Sequence, residues 1–105
     1  MPLDSPTFRR LTTMLASAEE AYTLASYAEV LAFLETLPFD EPLVVFARGS
    51  VAHALAEMRG SVSLMDEAKA YYLRAAPGLP RPPSRMIPEL VAECDEQLRE
   101  AGLRR

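Results

Sequence analysis

Apolar residues recur along most of this chain at intervals of three and four, the spacing of one face of an α-helix. Phe8, Leu11, Leu15, Ala18, Tyr22 and Ala25 form the first such stripe. Ser5 ahead of Pro6 predicts its start, a hydroxyl N-cap followed by a proline in the first turn, where no amide donor is missed. Residues 7–37 contain neither proline nor glycine, which leaves room for one long helix or two. Ser26-Tyr27-Ala28-Glu29 has capping-box spacing and predicts a second helix that carries Tyr27, Val30, Leu31, Leu34 and Leu37 and stops at Pro38. Its apolar residues cover much of its circumference, so it is expected to be the most buried element.

Leu43-Val44-Val45-Phe46-Ala47 suits a short strand by residue type. A strand needs a neighbour, however, and no other convincing strand run exists. Read as a helix, Val44, Ala47, Val51, Leu55 and Met58 share one side, with Asp40 as the expected cap and Pro42 in the first turn. Gly49 inside it costs about 1 kcal/mol against alanine, which allows a kink or a split there. Gly60 ends this helix, and Ser63-x-x-Asp66 is expected to open the next, which runs to about Ala76. Pro77 to Pro83 reads as a stiff, extended connector. Ile87, Leu90, Val91, Cys94, Leu98 and Ala101 then make the tidiest stripe, with Gly102 as its expected C-terminal cap. Glu89, Glu93, Asp95, Glu96 and Glu100 occupy much of the rest, as on a lid that turns charge to solvent. The expected fold is all-α: one domain over 1–105, a five-helix antiparallel hairpin stack with hairpins at 6–42 and 43–80 and a capping helix over 85–101.

Ala68, Tyr72, Ala75 and Pro80 place a small residue, an aromatic, a small residue and a proline at intervals of four, three and five. Small residues let a second helix approach, the aromatic fills the space beside the contact, and the proline ends the segment. With Leu55 and Ala56 upstream, segment 49–82 resembles a tetratricopeptide repeat, a helix-turn-helix unit of about 34 residues. It departs from that pattern at Ala52, where the family has a large aromatic, and at Arg59-Gly60, where the family's first helix continues. A fainter copy uses Ala18, Val30, Leu34, Leu37 and Pro42, with 38 residues from Ala18 to Ala56. The resemblance implies a concave surface built from the first helix of each unit. Carried over by position, that surface comprises Thr12, Leu15, Glu19 and Tyr22 from one unit and Ser50, His53 and Glu57 from the other. The last helix corresponds to the solvating cap such arrays need.

Composition narrows the function. A net charge of −4 and a pI near 5.0 disfavour direct nucleic-acid reading and adhesion to anionic lipid. No segment is apolar for long enough to span a bilayer, and Met-Pro-Leu-Asp-Ser-Pro lacks the basic and apolar regions of a secretory leader. A single cysteine, Cys94, excludes an intramolecular disulfide and is compatible with a reducing compartment, so a cytoplasmic location is expected. On the apolar stripe beside glutamates, Cys94 reads as a packing residue rather than a nucleophile.

His53 and Glu57 are four apart and suited to sharing a metal. A site needs three or four ligands, though, and this is the only histidine, so an ordinary surface pair is expected, with no metal and no cofactor. No nucleophile, base and orienter can be assembled around one histidine, which argues against an enzyme. Arg74, Arg81 and Arg85 gather near the connector and read as solubilising groups. Pro80-Arg81-Pro82-Pro83-Ser84-Arg85 fits a polyproline-ligand pattern but reads first as a linker. The leading expectation is a small protein-protein interaction module, adaptor- or chaperone-like, gripping a peptide or helix of a larger partner. The alternative is a homodimeric helical regulator, such as an antitoxin-like inhibitor or a transcription-associated factor, because the 8–25 stripe has near-heptad spacing.

Overall fold

The computed structural model describes residues 3–79 and 81–103, without the side chains of 81–84 and 103. Five helices follow one another: α1 (Ser5–Ala21), α2 (Leu24–Leu34), α3 (Pro42–Arg59), α4 (Val62–Ala75) and α5 (Arg81–Leu103), with a 3₁₀ turn at Ala76–Gly78 before the last. Among the described residues there is no strand, and Leu43–Ala47 is helical. Gly49 does not split α3, which runs unbroken through it. None of these helices is long and apolar enough to cross a membrane.

The helix starts differ from expectation by a few residues. Asp4, not Ser5, caps α1: its Oδ1 accepts from Thr7 N at 2.8 Å. A carboxylate is the stronger acceptor and gains from the helix dipole. The bonding from Thr7 holds its carboxyl below the ordinary range. Thr23 caps α2 and Ser26 lies inside that capping box rather than opening one, with Ser26 N donating to Thr23 Oγ1 at 3.1 Å and Thr23 N to Ser26 Oγ at 3.3 Å. The helix ends at Leu34, and turns closed by Phe33 and Leu34 carbonyls carry the chain to Pro38. Glu41 displaces Asp40 as the cap of α3, its Oε2 reaching Leu43 N at 2.9 Å and Val44 N at 3.3 Å.

Between α3 and α4 the reversal takes two residues. Gly60 adopts the left-handed conformation (φ 63°), which glycine enters without steric penalty, and Ser61 rather than Ser63 caps α4. Among the described residues the expected extended connector is replaced by a 3₁₀ turn and a helix start, and 81–85 are helical rather than extended as a polyproline ligand would be. The 3₁₀ turn takes the connector's first part, and Pro82 and Pro83 form the first turn of α5, where a missing amide costs no intrahelical bond. Pro80 lies outside the described residues, as does the Arg81 side chain. Gly102 sits within α5 rather than capping it. Of the nearby arginines, Arg74 lies over the Tyr71 ring at 5.9 Å.

The most buried element is α3, not α2. It contributes nine buried residues against three, because it is sandwiched between the α1–α2 pair and the α4–α5 pair. One face, with Val44, Ala47, Val51 and Ala54, packs with Leu11, Ala18, Tyr27, Val30 and Leu34. The other, with Ala52 and Ala56, packs with Met65, Ala68, Tyr72, Ile87 and Cys94. Fully burying each Leu, Val or Ile stabilises by roughly 1.5–3 kcal/mol. Alanines at 52, 56 and 68 instead let α3 and α4 come close. Ala68, Tyr72 and Ala75 are all buried, as their spacing predicted. So are Ile87 and Cys94 of the α5 stripe, while the helix's five acidic residues are exposed.

Candidate binding groove

With α2 and α4 packed behind them, α1, α3 and α5 present side chains to two adjoining recesses. The first, of about 440 Å³, runs between α1 and the start of α3 and is walled by Phe8, Leu11, Leu15, Leu43 and Phe46. The second, of about 230 Å³, lies further along and is lined by Tyr22, Ser50, His53, Glu57 and Tyr72, with Met86 and Leu90 of α5 at its edge. Glu19 and Phe46 line both, so the two adjoin at these residues. All seven residues that the sequence placed on one surface are found here: Thr12, Leu15 and Glu19 on the first recess, Glu19, Tyr22, Ser50, His53 and Glu57 on the second.

Their roles differ. Thr12 returns its hydroxyl to its own helix, donating to the Phe8 carbonyl at 3.1 Å and the Arg9 carbonyl at 3.0 Å. Leu15 is half-buried, and Phe8 is 48 % exposed despite standing on the apolar stripe. Tyr22 terminates α1 in a left-handed conformation (φ 52°), which a non-glycine residue holds only when its surroundings compensate. The compensation is visible: its hydroxyl donates to Glu57 Oε2 at 2.7 Å, and its ring meets Tyr27 edge-on at 6.2 Å. Hydrogen bonding to Glu57, with burial adding to it, pushes the Tyr22 hydroxyl up to about 12.

Glu57 is the hub of the polar cluster. Its Oε1 accepts from Gln97 Nε2 at 3.1 Å while Oε2 takes Tyr22, so one carboxylate joins α1, α3 and α5. Burial works to raise its pKa, but hydrogen bonds from Tyr22 and Gln97 and the nearby His53 outweigh it and leave the carboxyl below its ordinary value.

His53 is not half of a surface pair. It is 7 % exposed, because α4 and α5 close over it. Its Nδ1 lies 3.1 Å from Tyr72 Oη, and its Nε2 points at Glu57 Oε1 (3.1 Å) and Glu93 Oε1 (3.6 Å). Burial also raises the Tyr72 hydroxyl far above its ordinary range. Cys94 is buried, and burial first, then Glu93 and Asp95, push its thiol up to about 11, in keeping with packing rather than nucleophilic chemistry.

Glu93, Gln97, Phe46 and Tyr72 belong to the site although the sequence did not place them there. Glu93 and Gln97 stand four apart, flanking the α5 stripe. That border position was the one available signal, and on its own it reads as solvated helix surface. The chain matches no protein-family model, no curated protein and no solved structure.

Proposed function

We propose that this chain is a small interaction module that takes a peptide or helix of a larger partner protein into the groove between α1 and α3, without catalysing a reaction. The observation that carries this reading is the first recess: a trough with apolar walls, in which Phe8 remains half-exposed and Leu15 half-buried after the fold is complete. An amphipathic helix, laying residues at i, i+3, i+4 and i+7 into such a trough, buries what the fold leaves uncovered. Glu19 at the rim and Glu57 and Glu93 beyond it favour a partner segment with basic residues beside its apolar anchors. The placement of α1 and α3 along one groove is the arrangement that the tetratricopeptide likeness implies for a binding face.

A second reading, a homodimeric regulator, draws on one observation. Among the helices α1 packs chiefly on α2, and Phe8 would be covered by a second copy laid along α1. A photo-crosslinker introduced at Thr12 distinguishes the two. A crosslink to a segment of one discrete foreign protein, abolished by Leu15→Glu, supports the module. A crosslink to another copy of this chain, with a dimer that survives dilution, overturns it in favour of the regulator.

A further inference from the structure

We propose that His53, Glu57 and Glu93 bind a divalent transition-metal ion of the zinc class, which ties α5 to α3 at the inner end of the groove. The donor atoms of these three residues lie within 4.8 Å of one another. A tetrahedral zinc held at about 2.0–2.1 Å by nitrogen and oxygen sets its donors roughly 3.3 Å apart. His53 Nε2 stands 3.1 Å from Glu57 Oε1 and 3.6 Å from Glu93 Oε1, one separation on each side of that value. Small movements close the site, and Glu93, with a side chain 51 % exposed, is able to make them.

An independent observation is the state of His53 Nε2. It is buried and has no hydrogen-bond partner, because its approach to Glu57 does not meet hydrogen-bond geometry. A buried polar atom left in this way calls for an occupant. The tautomer that donates Nδ1–H to Tyr72 Oη leaves the Nε2 lone pair directed at the two carboxylates. Two carboxylates converge there, and among the described residues neither has a lysine or arginine partner. A dication supplies the missing positive charge.

The surroundings also have the form that metal ligands need. A ligating histidine is oriented through its other ring nitrogen and a ligating carboxylate through further hydrogen bonds. Tyr72 does the first for His53, and Tyr22 and Gln97 do the second for Glu57. One imidazole with two carboxylates suits zinc or its neighbours, whereas calcium seeks six to eight oxygens. Three protein donors leave a fourth position for water, or for a side chain of whatever enters the second recess. This site does not depend on the groove's occupant.

The test is calorimetric titration of the untagged, full-length chain with Zn²⁺, with Ca²⁺ and Mg²⁺ in parallel and Co²⁺ as the absorbing probe. One Zn²⁺ per chain is expected, at least about a hundredfold tighter than Ca²⁺ or Mg²⁺, with a rise in thermal midpoint that follows the free metal concentration. Glu93→Gln, which removes one of two converging charges at an exposed position, should not lower the metal-free midpoint. It should weaken Zn²⁺ by more than the ten- to hundredfold that loss of an outer partner produces and erase the Co²⁺ bands. His53→Gln should weaken it further. Absence of one-to-one binding below millimolar Zn²⁺, equal affinity for Ca²⁺, or unchanged affinity in Glu93→Gln each overturns the proposal.

Discussion

Gly49 of α3 lies flat against the ring of Tyr72 of α4: a Cβ at position 49 would stand 2.9 Å from Tyr72 Cδ1 and 3.1 Å from the Cβ of Tyr71. The absent side chain is what lets the two helices meet here, and Tyr72, 1 % exposed, has nowhere to turn.

Gly49→Ala therefore sets two effects against each other. Helix propensity favours alanine by about 1 kcal/mol, while overpacking a closed contact costs about 1–3 kcal/mol. Urea unfolding should show a net loss of about 1 kcal/mol. A gain equal to the propensity difference would mean that α3 and α4 separate more readily than their packing indicates.

Glu57 gives stability a dependence on acid. Its folded pKa lies below the ordinary 4.5, so its contribution is complete above that value and is lost as pH falls through the folded pKa. Unfolding measured between about pH 6 and pH 3 should steepen below the ordinary carboxyl pKa. Glu57→Gln should flatten that part of the curve. An identical curve for the variant would remove Glu57 as the junction of α1, α3 and α5.

Tyr22 behaves in the opposite sense. Its hydroxyl is raised to about 12, so the neutral phenol's contribution is complete below 10.0 and is lost as pH climbs toward the folded value. Ultraviolet titration should find Tyr22 and Tyr72 both ionising late, and Glu57→Gln should bring only Tyr22 back toward the ordinary range. Tyr22→Ala should weaken partner binding while leaving the helical circular dichroism unchanged.

Cys94 should be inert in the folded chain. With the thiol buried and pushed up to about 11, modification by a disulfide reagent at neutral pH should run at the rate of local opening and accelerate when urea unfolds the protein. Fast stoichiometric labelling of the native protein would show that α5 does not stay docked against α3 and α4.

Much of this architecture can be read from spacing alone. The 3-4 recurrence of Ile87, Leu90, Val91, Cys94, Leu98 and Ala101 predicts a docked helix. The sequence of small, aromatic and small residues at Ala68, Tyr72 and Ala75 predicts a tight helix pair. The caps are harder, because acceptors cluster at each start: Asp4 beside Ser5, Glu41 beside Asp40, Ser61 near Ser63. Residue type alone does not choose among them. Pro82 and Pro83 are equally at home in a linker and in a first turn. The burial of α3 arises from neighbours on both sides, which its own periodicity does not encode. The same holds for His53. The groups that complete its surroundings arrive on α5, and Gln97 meets Glu57 across 40 positions of chain.

We propose that the groove between α1 and α3 holds a segment of another protein. The most direct measurement is the dissociation constant of a synthetic peptide spanning the segment crosslinked at Thr12, against the wild-type chain, Leu15→Glu and Glu67→Lys. Leu15 lines the groove, whereas Glu67 is exposed on α4 and outside it. The account predicts at least about a tenfold loss, or 1.4 kcal/mol, for Leu15→Glu and no change for Glu67→Lys. Equal affinity for all three chains, or loss confined to Glu67→Lys, would contradict it.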